Sequence, residues 1–192
     1  IGELRGHTPV VMLRIAGVYS DRCDSIPLSQ QIHRIDQKSL DSRLYPGDPA
    51  RGQSFVHLDD VLDAFERIVD QREKLPEAAV PLLIGEPETF GYGELQQRLG
   101  KLLHGVDEWP LHHVPKTVAK AGAWLQDKLP MEQFIKPWMV DIADDHYEVD
   151  VRRAQAMIGW QPRHRVVDVL PAMIADLRND PDGWRRRHGF AA

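Results

Sequence analysis

The apolar positions of this chain change period along its length. Val10-Val-Met-Leu-Arg-Ile-Ala16 is a short, nearly unbroken apolar run, as in a buried parallel strand, with Arg14 as its one interruption. Ile26, Leu28, Ile32 and Ile35 recur at helical spacing over 26–37, with Pro27 in the first turn. Leu44-Tyr45 followed by Pro46-Gly-Asp-Pro49 predicts a strand and then a turn. Gln53 to His57 predicts a second short strand. The helix after it carries Val61, Leu62, Phe65, Ile68 and Val69, with Asp59 or Asp60 as its cap. Val80 to Ile84 is another buried-strand pattern, ended by Gly85, and Tyr92 to Leu103 is an amphipathic helix bearing Leu95, Leu99, Leu102 and Leu103. Trp109 to Val114 predicts a strand, and helices are expected near 115–127 and 131–140. Asp150 caps a helix running to Ile158, with Gly159 at its C-terminal stop. A last helix is expected from near Asp168, placing Pro171 in its first turn and ending before Asp180-Pro181. Strands come early and helices dominate late: the fold class is α/β, grading into a mostly helical subdomain.

The 192 residues predict a single domain with enough apolar material, 42% of positions, to bury a core. A net charge of −5 gives no basic face for a nucleic-acid partner. The one basic cluster, Arg185-Arg-Arg-His188, reads as a solvated chain end. The lone Cys23 cannot close an internal disulfide and, with no matching His, is expected to be inert, which fits a reducing, cytoplasmic setting. No apolar stretch approaches the ~20 residues of a membrane span. Because the chain opens on Ile1 rather than Met, it is expected to be a portion of a longer protein.

Four motifs in register carry a resemblance. They are Leu13-Arg-Ile-Ala-Gly-Val-Tyr19; Gly47-Asp48 followed by Phe55-Val-His-Leu-Asp-Asp-Val61; Leu83-Ile-Gly-Glu-Pro-Glu-Thr-Phe90 running into Glu94-Leu95; and Asp150-Val-Arg-Arg-Ala154 with Ile158-Gly-Trp-Gln-Pro162. Together they span nearly the whole chain and resemble the substrate-side, C-terminal part of an extended short-chain dehydrogenase/reductase, the NAD-dependent epimerase/dehydratase family. The resemblance implies a Rossmann-type parent using NAD or NADP, with residues 1–192 as its substrate-binding portion and the dinucleotide-binding domain outside them. The family's Gly-x-x-Gly-x-x-Gly and Tyr-x-x-x-Lys are not in this sequence; Tyr19, Tyr45, Tyr92 and Tyr147 have no Lys four residues on. A phenol titrating near 10 needs a neighbouring cation to serve as a base at neutral pH. The 192 residues are therefore expected to bind the dinucleotide poorly and to be inactive by themselves.

The resemblance assigns Ile15 and Ala16 to the cofactor's nicotinamide and Gly17, Val18 and Tyr19 to the substrate. It also departs from the family's nucleotide-sugar members. Gly17 stands where they carry a diphosphate-binding Asn, and Gln53 where they carry an Arg. Val140-Asp-Ile-Ala-Asp-Asp-His146 is acidic where a further Arg is usual. Bidentate Arg is the residue suited to a diphosphate, so the expected substrate is a small molecule other than a typical nucleotide sugar. Arg51 could replace the missing guanidinium if strand alternation kept it on the face of Gln53. A competing reading from another class is a non-catalytic binding or assembly module on the same fold. His57 reads as a support of the fold, Asp150 as a helix cap, and Trp109, Trp124, Trp138 and Trp160 as core. Asp141, Asp144, Asp145 and His146 read as a solvated loop, and adjacent His112 and His113 face opposite ways; no spacing matches a closed metal site. The strand at 10–16, with an edge left open, is expected to mediate homo-oligomer contacts.

Overall fold

In the computed structural model the described residues are 10–76, 79–114 and 146–190. They belong to two compact units. The first holds the chain up to Ile26, then 54–89 and the segment from Glu148 onward; the second holds 27–53 and 90–147.

In the first unit, β1 (Val10–Ile15) pairs in parallel with β5 (Ala79–Ile84), from Val10 opposite Ala79 to Ile15 opposite Ile84. The short β2 (Gly17–Tyr19) pairs in parallel with β4 (Phe55–His57). The expected continuous run from Leu13 to Tyr19 is broken at Ala16. There the chain changes partners: Ala16 N–H donates to Ile84 O at 2.9 Å, and Gly17 N–H to Ser54 O at 3.2 Å. Arg14 faces solvent and needs no buried partner. Helix α2 (Leu58–Asp70) returns the chain from β4 and buries Val61 and Ala64. These meet Val56, Val80, Leu82, Ile84, Ala154, Ile158 and Trp160 in one core. Three later helices complete the unit: α4 (Arg152–Ile158), α5 (Val166–Asn179) and α6 (Pro181–Arg187). As the sequence predicts, Gly159 stops α4 in the left-handed region at φ 64°; the residue flanking its start is Val151 rather than Asp150, whose carboxylate nonetheless accepts the Arg152 N–H at 3.0 Å.

In the second unit, α1 (Ile26–Asp36) and α3 (Tyr92–His104) bury Leu28, Ile32, Ile35, Leu95 and Leu99. Gln31 Nε2 donates to Gln96 Oε1 at 3.1 Å, satisfying two buried amides. The strand β3 (Leu44–Tyr45) pairs in parallel with β6 (His112–His113), all that forms of the strand expected over 109–114. Trp109 is instead a core residue, with His104 stacked on its ring at 5.2 Å. The helices expected near 115–127 and 131–140, Trp124, Trp138 and the acidic residues 141–145 lie outside the described residues.

Two sequence expectations are corrected. Neither Asp59 nor Asp60 caps α2. His57 does, its Nδ1 accepting the Asp59 N–H at 3.2 Å. The last long helix starts at Val166, not near Asp168, so Pro171 sits inside it rather than in its first turn. The basic run at 185–187 is helical, in α6, where the Asp180 carboxylate caps the start by accepting the Gly183 N–H at 2.9 Å. Among the described residues no helix is long and apolar enough to cross a membrane.

Candidate functional site

In parallel α/β sheets ligands collect at the carboxyl ends of strands. In the first unit that place is the change of partner at Ala16. Ile15 is 39% exposed and Val18 36%; Gly17 is exposed and Ala16 half-buried. The apolar residues Ile15 to Val18 thus remain open at the ends of β1 and β2, although both strands are paired. Tyr19 differs. Its side chain is fully buried, edge-on to Phe55 and His57, so only its backbone could face a ligand. Burial, then the neighbouring Glu86 carboxylate, raise its phenol well above the ordinary value and keep it protonated.

The other two candidate residues belong to the second unit. Residues 51–54 are not a strand, so the alternation argument that would set Arg51 and Gln53 on one face does not apply. A tight turn positions them instead. The Asp48 carboxylate accepts the Ala50 N–H at 2.9 Å, and Asp48 O accepts the Arg51 N–H at 2.9 Å. The turn is tied to the start of α3, since Tyr92 N–H donates to Arg51 O and Gly93 N–H to Pro49 O, both at 2.8 Å. Gly52 is required by this closeness, because a Cβ there would overlap the Phe90 carbonyl oxygen. Its N–H donates to His146 Nδ1 at 3.3 Å. Arg51 and Gln53 are both exposed; the Arg51 guanidinium lies 3.6 Å from the Asp48 carboxylate.

Beneath the exposed segment of the first unit is a buried polar cluster that sequence reasoning missed. Glu86, two residues past the end of β5, is 2% exposed. Its carboxylate accepts the Val166 N–H, the first of α5, at 3.0 and 3.2 Å, and its own N–H donates to Phe55 O at 2.7 Å. Burial pushes the Glu86 carboxyl up to about 7, against the Val166 hydrogen bond, the Tyr19 hydroxyl and Arg165, which lower it. Asp60 is also fully buried. Its Oδ2 accepts the Arg163 and His164 N–H groups at 3.1 and 2.9 Å, and its backbone oxygen accepts Trp160 Nε1–H at 2.8 Å. His57 stacks on His164, ring centroids 4.1 Å apart. Cys23 is buried and its thiol is pushed up to about 12, first by burial, so it is a poor nucleophile. Pairs such as Glu86–Val166 and Asp60–His164 are eighty to a hundred residues apart, and no local pattern announces them.

No family model matches the sequence, and no curated protein matches it. Solved structures do match in fold. MoeE5 in complex with UDP-glucose and NAD superposes with a TM-score of 0.59 at 19% identity, over 91% of this chain and 48% of that one. The UDP-glucose 4-epimerase of Thermotoga maritima with UDP-glucose gives 0.58 at 16%, over 90% and 47%. RMD from Pseudomonas aeruginosa with NADPH gives 0.55 at 17%, over 93% and 49%. At these identities the likeness is one of fold. The architecture, mixed α/β with parallel strands, is similar to that of these structures. The chain spans about half the length of the solved structures it matches.

Proposed function

We propose that this chain is the substrate-binding part of an NAD(P)-dependent epimerase/dehydratase-like oxidoreductase whose substrate is not a typical nucleotide sugar. The observation that carries the reading is the open apolar segment Ile15–Val18, where β1 ends and β2 begins, with glycine rather than a side-chain amide at 17. Such a segment offers the apolar side chains of Ile15 and Val18 beside a backbone whose Ala16 and Gly17 N–H groups are already engaged, which suits the nicotinamide end of a dinucleotide and an uncharged substrate. Ile15 and Ala16 would hold the nicotinamide; Gly17, Val18 and the Tyr19 backbone would face the substrate. By the resemblance, Arg51 and Gln53 of the second unit are further candidate substrate contacts. When bound, the cofactor supplies hydride transfer. This chain's residues supply orientation and exclusion of water, and the buried Tyr19 hydroxyl takes no part in proton transfer. The neighbours solved with NAD and NADPH support a nicotinamide cofactor for the fold. The test is a screen of the complete polypeptide for NAD(P)H turnover, followed by nicotinamide absorbance, against neutral alcohols and ketones and against UDP- and dTDP-sugars. Turnover confined to the neutral compounds supports the reading. Turnover confined to nucleotide sugars overturns it, and no turnover with any compound favours the non-catalytic binding module.

A further inference from the structure

His57, Asp59, Asp60 and His164 lie together in the first unit, with the two imidazoles stacked at 4.1 Å between ring centroids. His164 Nδ1 lies 3.1 Å from Asp60 Oδ1, an arrangement that draws the imidazole proton to Nδ1 and leaves the Nε2 lone pair free. A carboxylate holding the far nitrogen of a histidine is the outer support that metal-bound imidazoles use. The Asp59 carboxylate, on the first turn of α2, lies 3.8 Å from His57 Nδ1. One ligand atom from each of His57, Asp59 and His164 lies within 4.8 Å of the other two.

We propose that His57, Asp59 and His164 bind a divalent transition-metal ion, with Asp60 orienting His164 from behind. Two imidazoles and one carboxylate favour zinc, cobalt or nickel over magnesium or calcium, which take oxygen ligands. Three protein ligands leave the remaining positions to water, as in an open zinc site. Ligands around a tetrahedral zinc stand about 3.3 Å apart, so binding draws the cluster in. Asp59 is largely exposed and can rotate inward, while the two rings tilt out of their stack. Metal at His57 Nδ1 takes the lone pair that now accepts the Asp59 N–H, so the α2 cap is exchanged for the metal bond. The Asp21 carboxylate, 3.8 Å from His57 Nε2, and Asp60 add negative charge that offsets the positive end of α2. The proposal is independent of the oxidoreductase reading.

The test uses metal-free protein, titrated with Zn2+ by calorimetry and with Co2+ by visible absorption. One equivalent should bind, with a Co2+ band of a low-coordinate nitrogen–oxygen site. His164→Gln and Asp59→Asn should each weaken Zn2+ by about tenfold or more, while His113→Gln, an exposed histidine of the second unit, should leave it unchanged. The Asp59 amide should shift on Zn2+ addition in an NMR spectrum of the wild type. Circular dichroism without metal checks that each variant folds; if His164→Gln does not, Asp59→Asn decides, since it keeps the capping N–H. Absence of saturable Co2+ absorption, or equal Zn2+ affinity in wild type and a folded variant, overturns the proposal.

Discussion

Replacing Glu86 by Gln should change how stability depends on pH, in a direction opposite to ordinary acid denaturation. Glu86 is 2% exposed, and its carboxyl is raised from 4.5 to about 7, chiefly by burial. A raised carboxyl means that the folded state holds its proton more tightly than the unfolded chain. Below about pH 4.5 both states are protonated and the residue costs nothing. Between 4.5 and 7 the unfolded chain has released its proton while the folded one keeps it, so stability falls as pH rises; above 7 the loss is complete. Each tenfold in proton affinity is about 1.4 kcal/mol, so the full loss is about 3 kcal/mol. Glutamine keeps a carbonyl oxygen for the Val166 N–H and has nothing to titrate. Urea unfolding of wild type and Glu86→Gln from pH 4.5 to 8 would measure it, and the difference between the two proteins cancels the other titrating groups. The variant should gain about 2–3 kcal/mol on wild type across that range. A difference that stays level with pH, or that moves in favour of wild type, would refute the reasoning.

Trp160→Ala removes a fully buried indole from the core of the first unit and the hydrogen bond to Asp60 O. The expected loss is about 3–5 kcal/mol by chemical denaturation. Gly52→Ala forces a methyl group into the Phe90 carbonyl; a loss above about 2 kcal/mol, seen as a lower melting temperature, is expected. Among the described residues β1 has β5 on one edge and no strand on the other. Self-association burying Val10 to Ala16 is therefore expected, and light scattering across a concentration series should show a species larger than the monomer.

Much of the fold was legible because its elements are announced locally. Apolar runs mark β1 and β5, helical periodicity marks α1 and α3, and the glycine after Ile158 marks the end of α4. What escaped was decided at long range. The start of α5 is set by a carboxylate eighty residues upstream, so local reasoning placed it two residues late. His57 could take the cap of α2 because Asp60 was already engaged by Arg163 and His164. The segment Ile15–Val18 was found through its resemblance to a known motif, and its exposure follows from the partner change at Ala16, which no hydrophobic pattern encodes. The Arg51–Gln53 alternation failed because an Asx turn and the contact with Phe90, rather than a ladder, shape residues 48–53.

On the proposed reading Gly17 and Gln53 stand in place of a phosphate-binding Asn and Arg; each charge-assisted phosphate contact is worth about 1.5–3 kcal/mol, so a nucleotide sugar should bind at least a hundredfold more weakly. The direct measurement is calorimetric titration of UDP-glucose into the complete polypeptide with its nicotinamide cofactor bound, for wild type and Arg51→Ala. Weak or undetectable binding that Arg51→Ala leaves unchanged is expected. Tight binding that Arg51→Ala abolishes would contradict that reading and make this an ordinary nucleotide-sugar site.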